Sequence, residues 1–173
     1  MSFFNTTTTL HHVTPLPSGV TFDAAVTKLQ DHDLLIRLDP ELAHYETLPS
    51  PDNAPQTKRY KVTDHMHTLP KGLWDTTVTF ESLITNSKDG VEWVIKAPLG
   101  LLQTTTWRIV GVKELDEVDK EEGKHLKESE WALVEDVEIK GSRLLVGTVK
   151  GKCEGAWRGI HARFVGELTA GVH

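Results

Sequence analysis

Apolar positions recur along the chain with two different periods, and the change of period predicts its architecture. In the last stretch, Glu154 to Gly171 (EGAWRGIHARFVGELTAG), Trp157, Ile160, Phe164 and Leu168 fall on one narrow face at about 100° per residue, with His161 inside the same stripe. Gly155, Gly159, Ala162 and Gly166 occupy the opposite face, with Arg158, Arg163 and Glu167 on the flanks. Each interior glycine costs a helix roughly 1 kcal/mol against alanine, so packing of the bulky face must hold this segment helical. Upstream the period is two. In KRYKVTDHMHT, Tyr60, Val62, Asp64 and Met66 share one face, and Arg59, Lys61, Thr63, His65 and His67 share the other. Trp74 to Thr85 places Val78, Phe80, Ser82 and Ile84 together. NSKDG (Asn86 to Gly90) is a hairpin turn, and Val91, Trp93 and Ile95 follow on the inward face.

The remaining segments fill in around this middle. Thr6 to Leu16 is rich in β-branched residues and closes on Pro15, Pro17 and Gly19, which predicts a first strand. Thr21 caps a helix with Phe22, Ala25, Val26 and Leu29 on one side. Asp31 and Asp33 cap a second short helix (HDLLIRLDP) ended by Pro40. Leu42 to Leu48 is a strand, and Pro49 to Pro55 a loop. After a Pro98–Gly100 turn, Leu101 to Val112 is a strand with Trp107 and Ile109 on one face and Val110 and Val112 on the other, so its orientation is open. Lys113 to Glu130 (KELDEVDKEEGKHLKESE) reads as a solvated connection, or as a lid or docking loop. Trp131 to Ile139 and Leu144 to Lys150 read as a last hairpin across Lys140-Gly141-Ser142. The sum is one α+β domain over residues 1–173: a curved antiparallel sheet of six or seven strands, two short helices after the first strand, and a long C-terminal helix lying across the sheet. That geometry leaves room for a cavity between helix and sheet.

Composition narrows the partners. A chain of 173 residues can bury one real core. A net charge of −6 without a basic block argues against nucleic acid or an anionic membrane. A single cysteine, Cys153, excludes an internal disulfide framework and a cysteine-based zinc site. The start, MSFFNTTTTL, lacks a basic flank and an apolar run of signal length, and no later stretch is long and apolar enough to span a bilayer. Cytoplasmic placement is the expectation. Neither GxSxG, GxxxxGK[ST] nor GxGxxG occurs.

The element order, ending in EGAWRGIHARFVGELTAG, resembles the helix-grip fold of the START-like (SRPBCC) superfamily. That group includes lipid-transfer domains, birch-pollen-allergen proteins and polyketide aromatase/cyclases. HDLLIRLDP, KVTDHMHTLPKGLWDTTVTFESLITN and the Trp-rich later strands are also similar to a family of small fungal proteins with this fold. The resemblance implies a small apolar or amphipathic ligand held between the long helix and the sheet. It leaves open whether the protein is a carrier, a hydrolase or a cyclase of secondary metabolism.

Three ionisable residues fall on inward faces. Asp64 alternates with Tyr60, Val62 and Met66; Glu135 alternates with Trp131, Leu133, Val137 and Ile139; His161 lies in the bulky helical stripe. Burial raises a carboxyl pKa and lowers that of an imidazole, which brings both groups toward neutral pH and toward acid–base work. Asp64 or Glu135 as base and His161 as acid would enolise or cyclise a ketone-bearing substrate without a cofactor. The plainer reading has Asp64 capping a backbone group, Glu135 paired with Arg108 or Arg163, and His161 satisfied in the core. Tyr60, Met66, Phe80, Trp93, Trp107, Trp131, Trp157 and Phe164 are the expected ligand-contacting residues, with Trp74 the fifth tryptophan. His65 and His67 point to the solvent side, and His11 and His12 to opposite faces, so no metal site is expected. The stripe Gly155, Gly159, Ala162 and Gly166 is either a homodimer contact or an exposed back face.

Overall fold

Alternation through the middle of the chain builds a single sheet whose inner rows are apolar. The computed structural model describes residues 5–66, 76–122 and 128–170. Strands β1 (Asn5–Pro15), β2 (Leu42–Leu48), β3 (Thr57–Met66), β4 (Thr76–Asn86), β5 (Gly90–Lys96), β6 (Leu102–Gly111) and β7 (Trp131–Ser142) pair antiparallel in the order β1-β7-β6-β5-β4-β3-β2. Helices α1 (Phe22–Leu29) and α2 (His32–Arg37) separate β1 from β2. A short helix α3 (Glu117–Glu122) lies within the charged connection, and α4 (Arg143–Thr169) closes the fold. This is the expected α+β helix-grip arrangement, with seven strands. Trp74 and His67 lie outside the described residues.

Local chemistry sets the helix starts. Thr21 accepts the Ala24 N–H at 3.1 Å and Asp31 accepts that of Leu34 at 3.1 Å, so each short helix begins on a side-chain cap. His32 then donates from Nε2 to Asn86 Oδ1 at 2.8 Å and meets the Tyr60 hydroxyl on Nδ1 at 2.8 Å, fastening α2 to the sheet. Leu16, Leu29, Leu35, Ile36, Ile84, Leu133 and Phe164 are buried between these helices and the inner face. The orientation of β6, open from its sequence, is settled: Trp107 and Ile109 face inward, while Val110 and Val112 join Ala132 and Val134 on the outer face.

The final third differs from the sequence expectation. Leu144 to Lys150 is not a strand, and no hairpin forms at Lys140-Gly141-Ser142. Gly141 stays in β7, paired with Thr6, and Ser142 caps α4 by accepting the Leu145 N–H at 3.4 Å. The helix therefore begins at Arg143 rather than Glu154. Val146, Val149 and Cys153 form a helical stripe against Val137 and Ile139, so the apolar run taken for a strand is one face of the helix. Farther along, His161, Phe164 and Leu168 are buried and Trp157 and Ile160 half-buried, as their spacing predicts. The described part of the charged connection before residue 123 is more structured than a solvated loop, since Leu115 and Asp119 are buried.

Two kinds of glycine follow from this packing. A methyl group built on Gly90 would lie 1.8 Å from the Trp107 carbonyl oxygen, so only glycine fits that point of the β5–β6 contact. On α4, Gly155, Gly159 and Gly166 face open space, and Gly147 and Gly151 extend the same exposed surface. Chemical denaturation should show Gly155→Ala and Gly159→Ala each stabilising the protein by about 1 kcal/mol, and Gly90→Ala destabilising it. A loss on Gly155→Ala would mean that this face is covered in solution.

Candidate functional site

Register brings the site together. Val91 pairs with Trp107, Trp107 with Glu135, and Glu135 with His12, so four inward side chains form one row across β5, β6, β7 and β1. Trp107 donates its indole N–H to Glu135 Oε2 at 2.6 Å, and His12 donates from Nδ1 to Oε1 at 2.7 Å. α4 lays His161 over this row. Its Nδ1 is bonded to Thr14 Oγ1 at 2.7 Å, and its Nε2 lies 3.5 Å from Glu135 Oε1 without a hydrogen bond. Trp157, one helical turn earlier, stacks on His12 with centroids 4.3 Å apart and planes 8° from parallel. Phe164 closes the other side, edge-on to Trp107.

Glu135 thus meets two imidazoles and an indole N–H in a nearly dry setting; it is 8% exposed and His161 1% exposed. Burial alone pushes its pKa up. The His12 hydrogen bond, the close approach of the His161 ring and the charges of both imidazoles outweigh that and bring it down to about 2. Burial was expected to turn Glu135 into a base near neutral pH; its partners instead keep it ionised. Arg108 and Arg163 are elsewhere: Arg108 lies 3.5 Å from Asp136 on the outer face, and Arg163 donates to the Leu38 carbonyl at 2.8 Å.

Asp64 has the opposite environment. It is buried on the inner face, and its Oδ1 has no hydrogen-bond partner among the described residues. Burial and then the nearby Asp39 charge raise it to about 7, with Lys152 pulling the other way. Cys153 is pushed up to about 11 by burial and then by Glu135, which leaves it a poor nucleophile.

Helices cover the inner face unevenly. Ile84, Val91 and Ile109 are buried beneath the α1 end, whereas Val78, Phe80, Trp93, Ile95 and Gln103 are only half-buried toward the other end, as is Met66 beside Asp64. Among the expected ligand-contacting residues, Met66, Phe80 and Trp93 border this less covered region, with the Trp93 indole N–H on Ser82 Oγ at 3.0 Å. Trp107, Trp157 and Phe164 surround the glutamate cluster. Tyr60 is committed to His32, and Trp131 packs on Phe22 at 5.1 Å, at the far end. The two described surface concavities are elsewhere, one at the start of α4 around Leu144 and one on the outer face beside His11.

His12 is the residue that sequence reasoning passed over. It alternates with Leu10, Thr14 and Leu16, a signal of inward placement, but without the β1–β7 register nothing joined it to Glu135. Its neighbour His11 points outward and bridges Asp136 at 2.5 Å and Asp119 of α3 at 3.0 Å, which raises its pKa, chiefly through the Asp136 hydrogen bond. Among the described residues no group of three or more His, Cys, Asp or Glu side chains is arranged to hold a metal ion, and no helix is long and apolar enough to cross a membrane.

The chain belongs to the family described as Domain of unknown function (DUF7053), which matches residues 5–170. No curated protein matches it by sequence. Its fold is similar to that of the Zhui aromatase/cyclase of a Streptomyces species (TM-score 0.65, 10% identity, 97% of each chain covered). It is also similar to norcoclaurine synthase from Thalictrum flavum (TM-score 0.61, 11% identity, 98% of this chain and 90% of that one). The di-domain aromatase/cyclase StfQ of the steffimycin biosynthetic pathway matches at TM-score 0.64 and 13% identity; the match covers 96% of this chain and 53% of StfQ. At these identities the likeness is one of fold.

The two carboxylates predict opposite pH behaviour. Asp64 is raised above its ordinary 3.8, so its ionisation costs the folded state stability as pH climbs from about 4 through 7. Asp64→Asn should therefore stabilise the protein at pH 8 by about 1 kcal/mol or more, with the gain vanishing near pH 4. Glu135 is depressed below its ordinary 4.5, so its contribution is present above that pH and lost as pH falls toward 2. Glu135→Gln should cost about 3 kcal/mol at pH 7, and progressively less in acid. Denaturation midpoints of the two variants across pH test both signs; parallel curves for either variant and wild type would contradict its assignment.

Proposed function

We propose that the protein is a single START-like ligand-binding domain, cytoplasmic, that holds a small hydrophobic or polyketide-like molecule against the less covered part of its concave face. On this reading it acts as a cofactor-independent cyclase or isomerase, with the His12–Glu135 pair carrying the chemistry. The observation that carries this reading is the buried His12–Glu135 pair. A carboxylate on one imidazole nitrogen fixes the tautomer and stabilises the imidazolium, leaving the other nitrogen to take a proton from carbon beside a ketone. In this scheme His12 is the base. Glu135 stays ionised throughout and compensates the charge that forms on His12. His161 and Thr14 act through Glu135 as positioning residues rather than as the acid, since His161 is 1% exposed. The same depth of burial favours a second reading, a carrier or sensor in which the network only stiffens the wall of the site.

Exchange of the acidic carbon-bound protons of β-tetralone in heavy water, followed by NMR, separates the two. The enzyme reading predicts exchange faster than the buffer background, falling roughly 10²-fold or more in His12→Asn and Glu135→Gln while ligand binding persists. Binding of tetralone without accelerated exchange supports the carrier. Native mass spectrometry of protein from its own host would then identify the resident molecule.

A further inference from the structure

Asp64 is a buried carboxylate that the acid–base scheme does not use. It lies on the inner row Leu42–Asp64–Val78, at the end of the concave face where the neighbouring Met66, Val78 and Phe80 are only half-buried. It is 5% exposed, and Oδ1 is fully buried without a hydrogen-bond partner among the described residues. The turn into β2 holds two more acids beside it. Glu41 donates its backbone N–H to Asp39 Oδ1 at 2.9 Å, and the His65 N–H, next to Asp64, donates to the Glu41 carbonyl at 2.8 Å. Asp39 acts on Asp64 as a like charge and through a carboxyl–carboxyl hydrogen bond, Glu41 adds a smaller like-charge effect, and Lys152, an exposed residue of α4, acts on Asp64 in the opposite direction.

The geometry points to Asp64 as the anchor for the ammonium group of a hydrophobic amine, whose apolar body lies along Met66, Val78 and Phe80. This rests on the reading of the concave face as the ligand site and adds to it the chemical class of the ligand. An orphaned carboxylate oxygen calls for a donor, and either a hydroxyl or an ammonium group would supply one. The surrounding acids decide between them. A hydroxyl satisfies only the missing hydrogen bond, whereas a cation also relieves the repulsion between the Asp39 and Asp64 carboxyls. A metal ion is the poorer occupant, since among the described residues these groups do not converge as ligands, and the half-buried residues next to Asp64 are apolar.

Naphthylmethylamine and its neutral counterpart naphthylmethanol test this, with binding followed by calorimetry on the full chain at pH 7. Wild type should bind the amine at least about tenfold tighter than the alcohol, as a charge-assisted hydrogen bond requires. Asp64→Asn should abolish the preference and leave alcohol binding unchanged, which also reports that the variant is folded. Lys152→Met, a surface change that removes the competing cation, should widen the preference. Equal binding of the two probes by wild type, or a preference that survives Asp64→Asn, overturns the ammonium site while leaving the apolar site standing. Failure of both probes to bind overturns both.

Discussion

A carboxylate buried among aromatic rings is stable only if its partners supply more than water did, and Glu135 shows how the rest of the structure is arranged to do so. Moving such a group into a dry interior costs several kcal/mol unless hydrogen bonds and opposite charge are fixed in place. Here the partners come from three separate parts of the chain. Trp107 reaches it from β6, His12 from β1, and His161 from α4. A slip of one residue in either strand pairing would turn Trp107 or His12 to the outer face, and rotation of α4 would remove His161 and the Trp157 stack. The cluster therefore ties the first strand, the sheet and the last helix to one another. It contributes specificity of register as much as stability.

The same sheet carries a second carboxylate with the opposite character. Asp64 shares the inner face but meets acids where Glu135 meets imidazoles, and one of its oxygens has no hydrogen-bond partner among the described residues. Two carboxylates whose surroundings drive them apart are a recurrent basis for dividing roles within one site. In this protein the division is between an anion fixed by imidazole and indole partners and an acid raised by burial and by a neighbouring carboxylate. The uneven cover over the sheet agrees with that division: the α1 end is packed closed, and the Met66–Phe80 end is not.

Much of the architecture was legible because two periodicities and a few caps dictate it. Thr21, Asp31 and the Asn86–Gly90 turn stood where their chemistry placed them, and the inward faces of β3, β4 and β7 followed from alternation. The beginning of α4 did not, because Leu144, Leu145 and Val146 form a short apolar run that fits either period. Only the packing of Val146, Val149 and Cys153 on β7 decides for the helix. Of the site, the inward positions of Asp64, Glu135 and His161 were readable. What joins them was not. His12 is adjacent to Glu135 through a pairing between residues 123 positions apart, and burial alone, without that partner, gives the wrong sign for the Glu135 shift.

The most direct test is therefore the charge on Glu135 itself. Carbon-13 labelling of glutamate carboxyls, with Glu135 assigned by its loss in Glu135→Gln, gives its titration by NMR in the folded protein. A carboxylate held by His12, His161 and Trp107 stays ionised from pH 8 down to at least pH 4, with its midpoint displaced toward about 2. A midpoint at or above the ordinary 4.5 would show that the histidines do not hold it, and the site built around that anion would have to be abandoned.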